Sequence, residues 1–438
     1  MRTAIIGLGI TGFSCVRHLY GRDDLVVVDS RDEPPFLDEV RARFPAVELC
    51  LGVQCYAFDN VDRAIVSPGL ALHSCLVKTA HGKVDLLSDI DLFCDATTQP
   101  VIAITGTNGK STVTSLVGHL CNHAGRRTAV GGNLGEPALD LIDDRVVGYV
   151  IELSSFQLER LARHDFCAAS ILNLSEDHLD RHGDMGAYTA IKQRIYRSCE
   201  LAVAYRGDAG TTPVATVDRL VTFDIDEPAQ GQWGVRTSSG TRYLACGEEL
   251  VVECSALPLA GRHNELNVLA AFALLMNSGI SNRQLAAGVK SFSGLPHRCE
   301  RIVEVAGVVY INDSKATNVG ATLAALEGFA DQRARRLVLI AGGDGKGMDF
   351  SPLREPVLRY VKAVVLLGRD AEKIADALDD STVLHHVADM SQAVERAAEI
   401  ASVGDLVLLS PACASLDMYE NFAVRGAEFS QHAKGLAA

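Results

Sequence analysis

Short runs of Val, Ile, Leu and Ala recur along this chain: TAIIG, LVVVD, RAIVSP, VIAIT, YVIEL, AASILN, LVLIAGG, AVVLLG and DLVLLSP. Most end in a Gly, Ser or Asn turn and lead into a helix-like stretch. A strand that is apolar throughout needs cover on both faces, so alternating units of this kind predict an α/β fold of parallel sheets between helices. Ligands of such sheets bind beyond the C-terminal ends of the strands, where these turns lie.

The chain has 438 residues, enough for roughly three domains at about 150 residues each. The polar stretch from Asp95 to Pro100 and the turn-rich Ser293–Gly294–Leu295–Pro296 divide it into 1–94, 95–294 and 295–438. The first and last units read as Rossmann-like and the central one as a P-loop domain. Residues 200–260, with β-branched residues, Gly pairs and Trp233, read as an antiparallel β insertion in the central unit.

Hydrophobic residues at 48% and charged residues at 22% exclude disorder and fibrous structure. The net charge is −14, and no Lys/Arg run supplies the basic patch that a nucleic-acid partner would need. The 12 cysteines are too sparse for a disulfide scaffold, and they contain no C-x-x-C pair, which argues against a zinc ribbon or a thioredoxin-type site. They read as small buried thiols in a reducing compartment. The opening apolar stretch is broken by Gly7, Gly9 and Gly12, and no apolar run approaches 18 residues. Neither a signal peptide nor a membrane span is expected, and the location expected is cytoplasmic.

Two loops have the chemistry of phosphate sites. Gly7-Leu8-Gly9-Ile10-Thr11-Gly12 follows a strand and opens a helix, with Asp29 ending the next strand and Arg31 two residues on. This is a dinucleotide fingerprint, the acid serving a ribose, although it specifies an anion at a helix N-terminus better than it specifies nicotinamide. Gly106-Thr107-Asn108-Gly109-Lys110-Ser111-Thr112 follows VIAIT. It has the Gly-Lys-Ser of a P-loop, shortened because Ile104 stands where the usual first Gly falls. Its amides cradle phosphates, its Lys neutralises them and its hydroxyls hold Mg²⁺.

Glu152 exits an apolar strand, where a metal-holding acid belongs beside a P-loop, although a helix cap reads as well. His178 and His182 have the i, i+4 spacing of zinc ligands, but Leu179 replaces the Glu that a metalloprotease needs, so one His serving Mg²⁺ or a phosphate is expected instead. Lys192 lies on a helical stretch and reads locally as a surface lysine. Three loops, at Asn312–Thr317, Gly342–Lys346 and Ser410–Ser415, follow apolar strands and would gather Lys315 and Lys346 at one sheet edge. A dehydrogenase explains only the first unit, and a non-catalytic scaffold leaves Glu152 and His178 without purpose.

In order along the chain stand GLGITG, SPG (67–69), AITGTNGKSTVTSLVG, GGNLG, ELSSFQLE, EDHLDRH, GLPHRCE, INDSKATN, AGGDGK and SPACASLD. With these motifs the chain resembles the Mur ligases of bacterial cell-wall synthesis, and among them the branch that adds D-glutamate to UDP-N-acetylmuramoyl-L-alanine. Folylpolyglutamate synthases share the shortened P-loop but do not resemble the first 95 residues. The resemblance implies an ATP- and Mg²⁺-dependent amide ligase acting on small molecules as a monomer. It implies catalytic Lys110, Glu152, His178 and Lys192. It puts Gly106, Thr107, Asn108, Gly109, Lys110, Ser111, Thr112, Asn264, Arg298 and Asp313 at ATP. The UDP-substrate falls to Ile10, Thr11, Arg31, Gly69, Asn133 and His178. Lys315, Thr317, Lys346, Ser415, Leu416 and Phe422 fall around the amino acid. Ser111, Thr112, Glu152, His178 and Lys192, the last as a carbamate, are the implied metal ligands.

Overall fold

The computed structural model describes residues 1–162, 164–259, 261–329 and 336–437, and every quoted apolar run is a strand in it. Strands β1 (Arg2–Ile6), β2 (Asp24–Val28), β3 (Glu48–Cys50), β4 (Arg63–Val66) and β5 (Asp85–Leu87) form a parallel sheet in the order β3-β2-β1-β4-β5.

The central sheet has nine strands. They are β6 (Val101–Thr105), β7 (Thr128–Gly132), β8 (Gly148–Glu152), β9 (Ala168–Ile171), β10 (Leu201–Tyr205), β11 (Arg219–Phe223), β12 (Trp233–Ser238), β13 (Thr241–Cys246) and β14 (Glu249–Glu253). The order is β14-β13-β12-β11-β10-β9-β6-β8-β7. All five residues of β6 are buried, as a strand covered on both faces requires.

The expected antiparallel insertion is smaller than residues 200–260. Strand β10 follows the helix Met185–Gln193 as an ordinary crossover and pairs parallel to β9, and β11 pairs parallel to β10. Only β12 to β14 form antiparallel hairpins. Periodicity could not separate the two, because buried parallel and half-buried antiparallel strands both favour β-branched residues.

The third sheet contains β15 (Glu300–Val305), β16 (Val308–Asn312), β17 (Leu337–Ala341), β18 (Val361–Leu366), β19 (Leu384–His386) and β20 (Leu406–Leu409) in the order β15-β16-β20-β17-β18-β19. Strands β16, β20 and β17 are adjacent and parallel, so their three exit loops do share one edge. The fold is thus a three-domain α/β architecture. The first two sheets share a core: one apolar cluster runs from Ile5 and Val16 through Phe93 to Ala103 and Ile151. Phe93 and Tyr149 meet edge to face at 5.0 Å.

The cysteine expectation needs a correction. Cys55 and Cys75 form a disulfide, with Cα atoms 5.4 Å apart, and both residues are exposed. The irregular segment after β3 passes the start of the helix Cys75–Ala80, a proximity that sequence spacing does not reveal. The bridge closes a loop of sequence separation 20. Closing a loop of that length contributes about 3 kcal/mol. Reduction, or Cys55→Ser, is expected to raise amide exchange in β4 and β5 by about two orders of magnitude. Unchanged exchange would show that the tether does not act in solution.

Candidate active site

Strand β6 delivers its chain into a tight loop and then the helix Lys110–His123. Gly106 has φ 148° and Gly109 has φ 82°. A Cβ at Gly109 would lie 2.6 Å from Asn267 Oδ1, so only Gly fits there. Asn173, after β9, supports the loop: its carbonyl accepts from Thr107 N at 2.9 Å and its Oδ1 from Asn108 N at 2.8 Å. No side chain caps the helix, which leaves the first-turn amides for an anion.

Four cations converge here. Lys110 Nζ donates to the carbonyls of Gly106 (3.0 Å) and Thr107 (2.9 Å). Lys192 is 1% exposed, not a surface lysine, and its Nζ donates to Thr105 Oγ1 (3.1 Å) and the Gly106 carbonyl (2.9 Å). Burial, and then Lys110, hold its pKa well below the usual lysine range. Arg298 donates to Ser111 Oγ at 2.7 Å. Lys315 lies 4.1 Å over the Phe422 ring, its pKa brought down to about 8 by burial, Arg298 and Lys110.

Against these stands Glu152 at the end of β8, 2% exposed. Its Oε1 accepts from Asn133 Nδ2 at 2.7 Å, while Oε2 is buried with no partner. An orphaned buried carboxylate oxygen in this loop cluster is what a hard divalent cation would satisfy. Among the described residues no three His, Cys, Asp or Glu side chains cluster to hold a metal, so that cation would also need phosphate oxygens.

Thr112, Asn264, Arg298, Asp313 and Lys315 line a cavity of about 500 Å³ between the second and third sheets, with Tyr205 and Phe223 on its apolar wall. Asp313 accepts from Ser410 Oγ (2.9 Å) and Cys299 N (3.2 Å), and burial pushes its carboxyl up to about 7. Asn108 and Asn318 join the two sheets at 3.3 Å.

Other expected residues are carried by the first sheet's loops, by the turn after β9 and by the third domain. Ile10 and Thr11 open an uncapped helix at the first sheet's edge, with Ile10 57% exposed. Asp29 does not face outward for a ribose: its carboxylate accepts from Leu8 N (2.7 Å) and from the fork of Arg31 (2.9 and 2.7 Å). That leaves Arg31, half exposed, as the group a ligand would meet. Gly69 lies on an exposed turn, and the next carbonyl, of Leu70, accepts from Arg181 Nη2 at 2.8 Å and from Arg160 of the central domain. His178, before the helix Leu179–His182, pairs with Asp177 at 3.7 Å and lies against Phe156.

In the third domain Lys346 and Leu416 are exposed, Ser415 is buried, and Thr317 donates its N–H to the Lys315 carbonyl. Arg425 was not legible in the sequence. Buried on the helix Phe422–Gly435, it donates to Ser314 Oγ (2.9 Å), the Ser314 carbonyl (2.8 Å) and the Cys413 carbonyl (3.1 Å). Asp344 and Ala414 exchange backbone bonds at 2.9 Å, which ties in the remaining loop. One Arg in an amphipathic helix has no sequence signature; Asn318, inside INDSKATN, did.

Three family models match in chain order: Mur ligase MurD-like N-terminal domain over residues 1–85, Mur ligase middle domain over 104–275 and Mur ligase glutamate ligase domain over 297–413. The chain belongs to the Mur ligase family. A Pseudomonas putida relative named UDP-N-acetylmuramoylalanine--D-glutamate ligase is 46% identical over 99% of this chain and 97% of its own length. One of the same name from Pseudomonas syringae pv. tomato is 48% identical, covering 98% and 96%. A solved MurF ligase of Thermotoga maritima in complex with ADP, 16% identical over 95% of each chain, matches with a TM-score of 0.63 and shows the shared fold.

An arriving polyphosphate favours protonated Lys315, so its pKa must rise on binding. Calorimetry with ADP at pH 8–9 in two buffers of different ionisation enthalpy is expected to show proton uptake, with affinity falling as pH rises. Lys315→Arg should reduce the uptake. Proton release, or uptake unchanged in the variant, would contradict the assignment.

Proposed function

We propose that this protein joins D-glutamate to UDP-N-acetylmuramoyl-L-alanine at the cost of ATP, in peptidoglycan precursor synthesis. The observation that carries the reading is the gathering of Lys110, Arg298 and Lys315 around Glu152, with Arg298 and Lys315 lining a nucleotide-sized cavity between two domains. The alanyl carboxylate attacks the γ-phosphorus and ADP leaves, giving an acyl phosphate. The D-glutamate amine attacks the acyl carbon, and the tetrahedral intermediate expels inorganic phosphate and loses a proton. Both steps gather negative charge between reactants that must be held in line.

In this reading Lys110 and the first-turn amides bind the β- and γ-phosphates, and Arg298 and Lys315 reach them from the third domain. Asn264 and Asp313 orient the rest of the nucleotide. Ile10, Thr11, Arg31, Gly69 and Asn133 bind the UDP-substrate, and His178 meets its reacting end. Thr317, Lys346, Ser415, Leu416 and Phe422 receive D-glutamate. Ser111, Thr112, Glu152, His178 and Lys192 would hold Mg²⁺, which when bound neutralises phosphate charge. The roles divide among residues 1–94, 95–294 and 295–438.

Lys192 enters as a carbamate. Its buried amine is biased toward the neutral form, the form that adds CO₂: a C–N bond forms, the nitrogen loses a proton, and a cation becomes an oxygen donor. Because one chain supplies every part, the enzyme works as a monomer. Its dependence on ATP and a UDP-linked substrate supports a cytoplasmic location. Among the described residues no helix is long and apolar enough to cross a membrane.

The test is phosphate release from ATP, expected only when UDP-N-acetylmuramoyl-L-alanine and D-glutamate are both present. Release with either alone, or with L-glutamate equally well, would defeat the reading. Lys110→Ala is expected to lower turnover by roughly three orders of magnitude while circular dichroism stays unchanged. Lys192→Ala should be nearly inactive and partly restored by acetate. Full activity of folded Lys192→Ala would remove the carbamate.

A further inference from the structure

His178 and His182 lie one helical turn apart, and only the first has a place in the reaction above. His182 closes the short helix Leu179–His182, and its Nε2 lies 3.0 Å from Ser155 Oγ. Ser155 opens the helix Ser155–Leu158, three residues beyond Glu152. The His182 ring stacks on Phe156 with centroids 5.4 Å apart and planes at 27°. It meets Tyr188 at 5.4 Å and 42°.

Both neighbours lead to working groups. Phe156 meets the His178 ring at 5.0 Å. Tyr188 OH is 3.2 Å from Thr107 Oγ1 in the phosphate loop, and its ring carries Lys192 Nζ at 4.8 Å. His178, Phe156, His182 and Tyr188 therefore make an unbroken line of ring contacts from the substrate side to the phosphate loop. The backbone of His178 is left-handed, with φ 54°, a conformation unfavourable for a residue with a Cβ. A side chain projecting from such a turn takes its direction from what it packs on, and here that includes Phe156.

We infer that His182 is a positioning residue for the ligase reaction: wedged between Phe156 and Tyr188 and tied to Ser155, it fixes His178 relative to the phosphate loop. The role given to His178 rests on the proposed function; the line of contacts does not. The i, i+4 spacing that suggested zinc is met instead by stacking.

Steady-state kinetics and the NMR Cε1–H resonance of His178, assigned by its loss in His178→Gln, test the inference on the full chain. His182→Ala is expected to lower kcat at least about tenfold, since small misplacements of reacting groups cost that much or more. KM for D-glutamate should stay within about twofold, because its site lies in another domain, and the His178 resonance should move. His182→Phe keeps the stack and should recover kcat to within about threefold of the parent, with the resonance near its parental position. His182→Leu, which fills the space without a ring, takes the place of His182→Ala should that variant not fold. A parental kcat and unmoved resonance in the ring-less variant would overturn the inference, as would His182→Phe as impaired as that variant. If the parent releases no phosphate with the two substrates, the functional reading fails, and the resonance still decides the positioning role.

Discussion

Positive charge that the protein does not neutralise by itself is the constraint on which the rest of this structure depends. Lys110, Arg298 and Lys315, joined by Lys192 while it is an unmodified amine, act electrostatically on one another and on the carboxylates of Glu152 and Asp177. At an effective dielectric near 20, two like charges about 4 Å apart repel by about 4 kcal/mol. Such a group is held together by the fold, not by its own attractions. Burial first, and the neighbouring cations second, lower the pKa of Lys192 and Lys315, and a polyphosphate relieves the second of these.

Three sheets, parallel where they carry the site, supply the holding force. Buried strands such as β6 and β17 cannot move without exposing apolar side chains, so their C-terminal ends are fixed points. The site lies where exits of two sheets face each other, joined by Arg298 on Ser111 and Asn318 on Asn108. The cations divide across that seam: Lys110 on the central sheet, Arg298 and Lys315 on the third. Charge complementarity with the ligand is therefore complete only while the two sheets stay apposed. Arg425 extends the same logic inward, a buried guanidinium spent wholly on loop hydroxyls and carbonyls, which holds the third sheet's exits in shape.

What could be read from the sequence was what is local. Apolar runs ending in turns gave the strands, and Gly109-Lys110-Ser111 gave the tight turn into an uncapped helix because its signal resides in consecutive residues. The three exit loops of the third sheet were legible because parallel order follows from alternation. What could not be read was mutual position. Lys192 looks like a surface lysine until the helix Met185–Gln193 is seen to lay it across β6. Asp29 looked free for a ribose until Leu8 N and Arg31 were seen to occupy it. Cys55 and Cys75, Leu70 and Arg181, and Arg425 and Cys413 all meet through chain paths that no spacing encodes.

The central claim is that the seam between the second and third sheets, not the glycine-rich turn of the first, takes the nucleoside triphosphate. A crystal structure of the protein with ADP and Mg²⁺ tests it most directly. The account predicts the diphosphate over residues 106–112, within reach of Arg298 and Lys315, with the nucleoside in the cavity walled by Tyr205 and Phe223. A diphosphate seated on the Gly7–Gly12 turn instead, with the seam left to solvent, would contradict it.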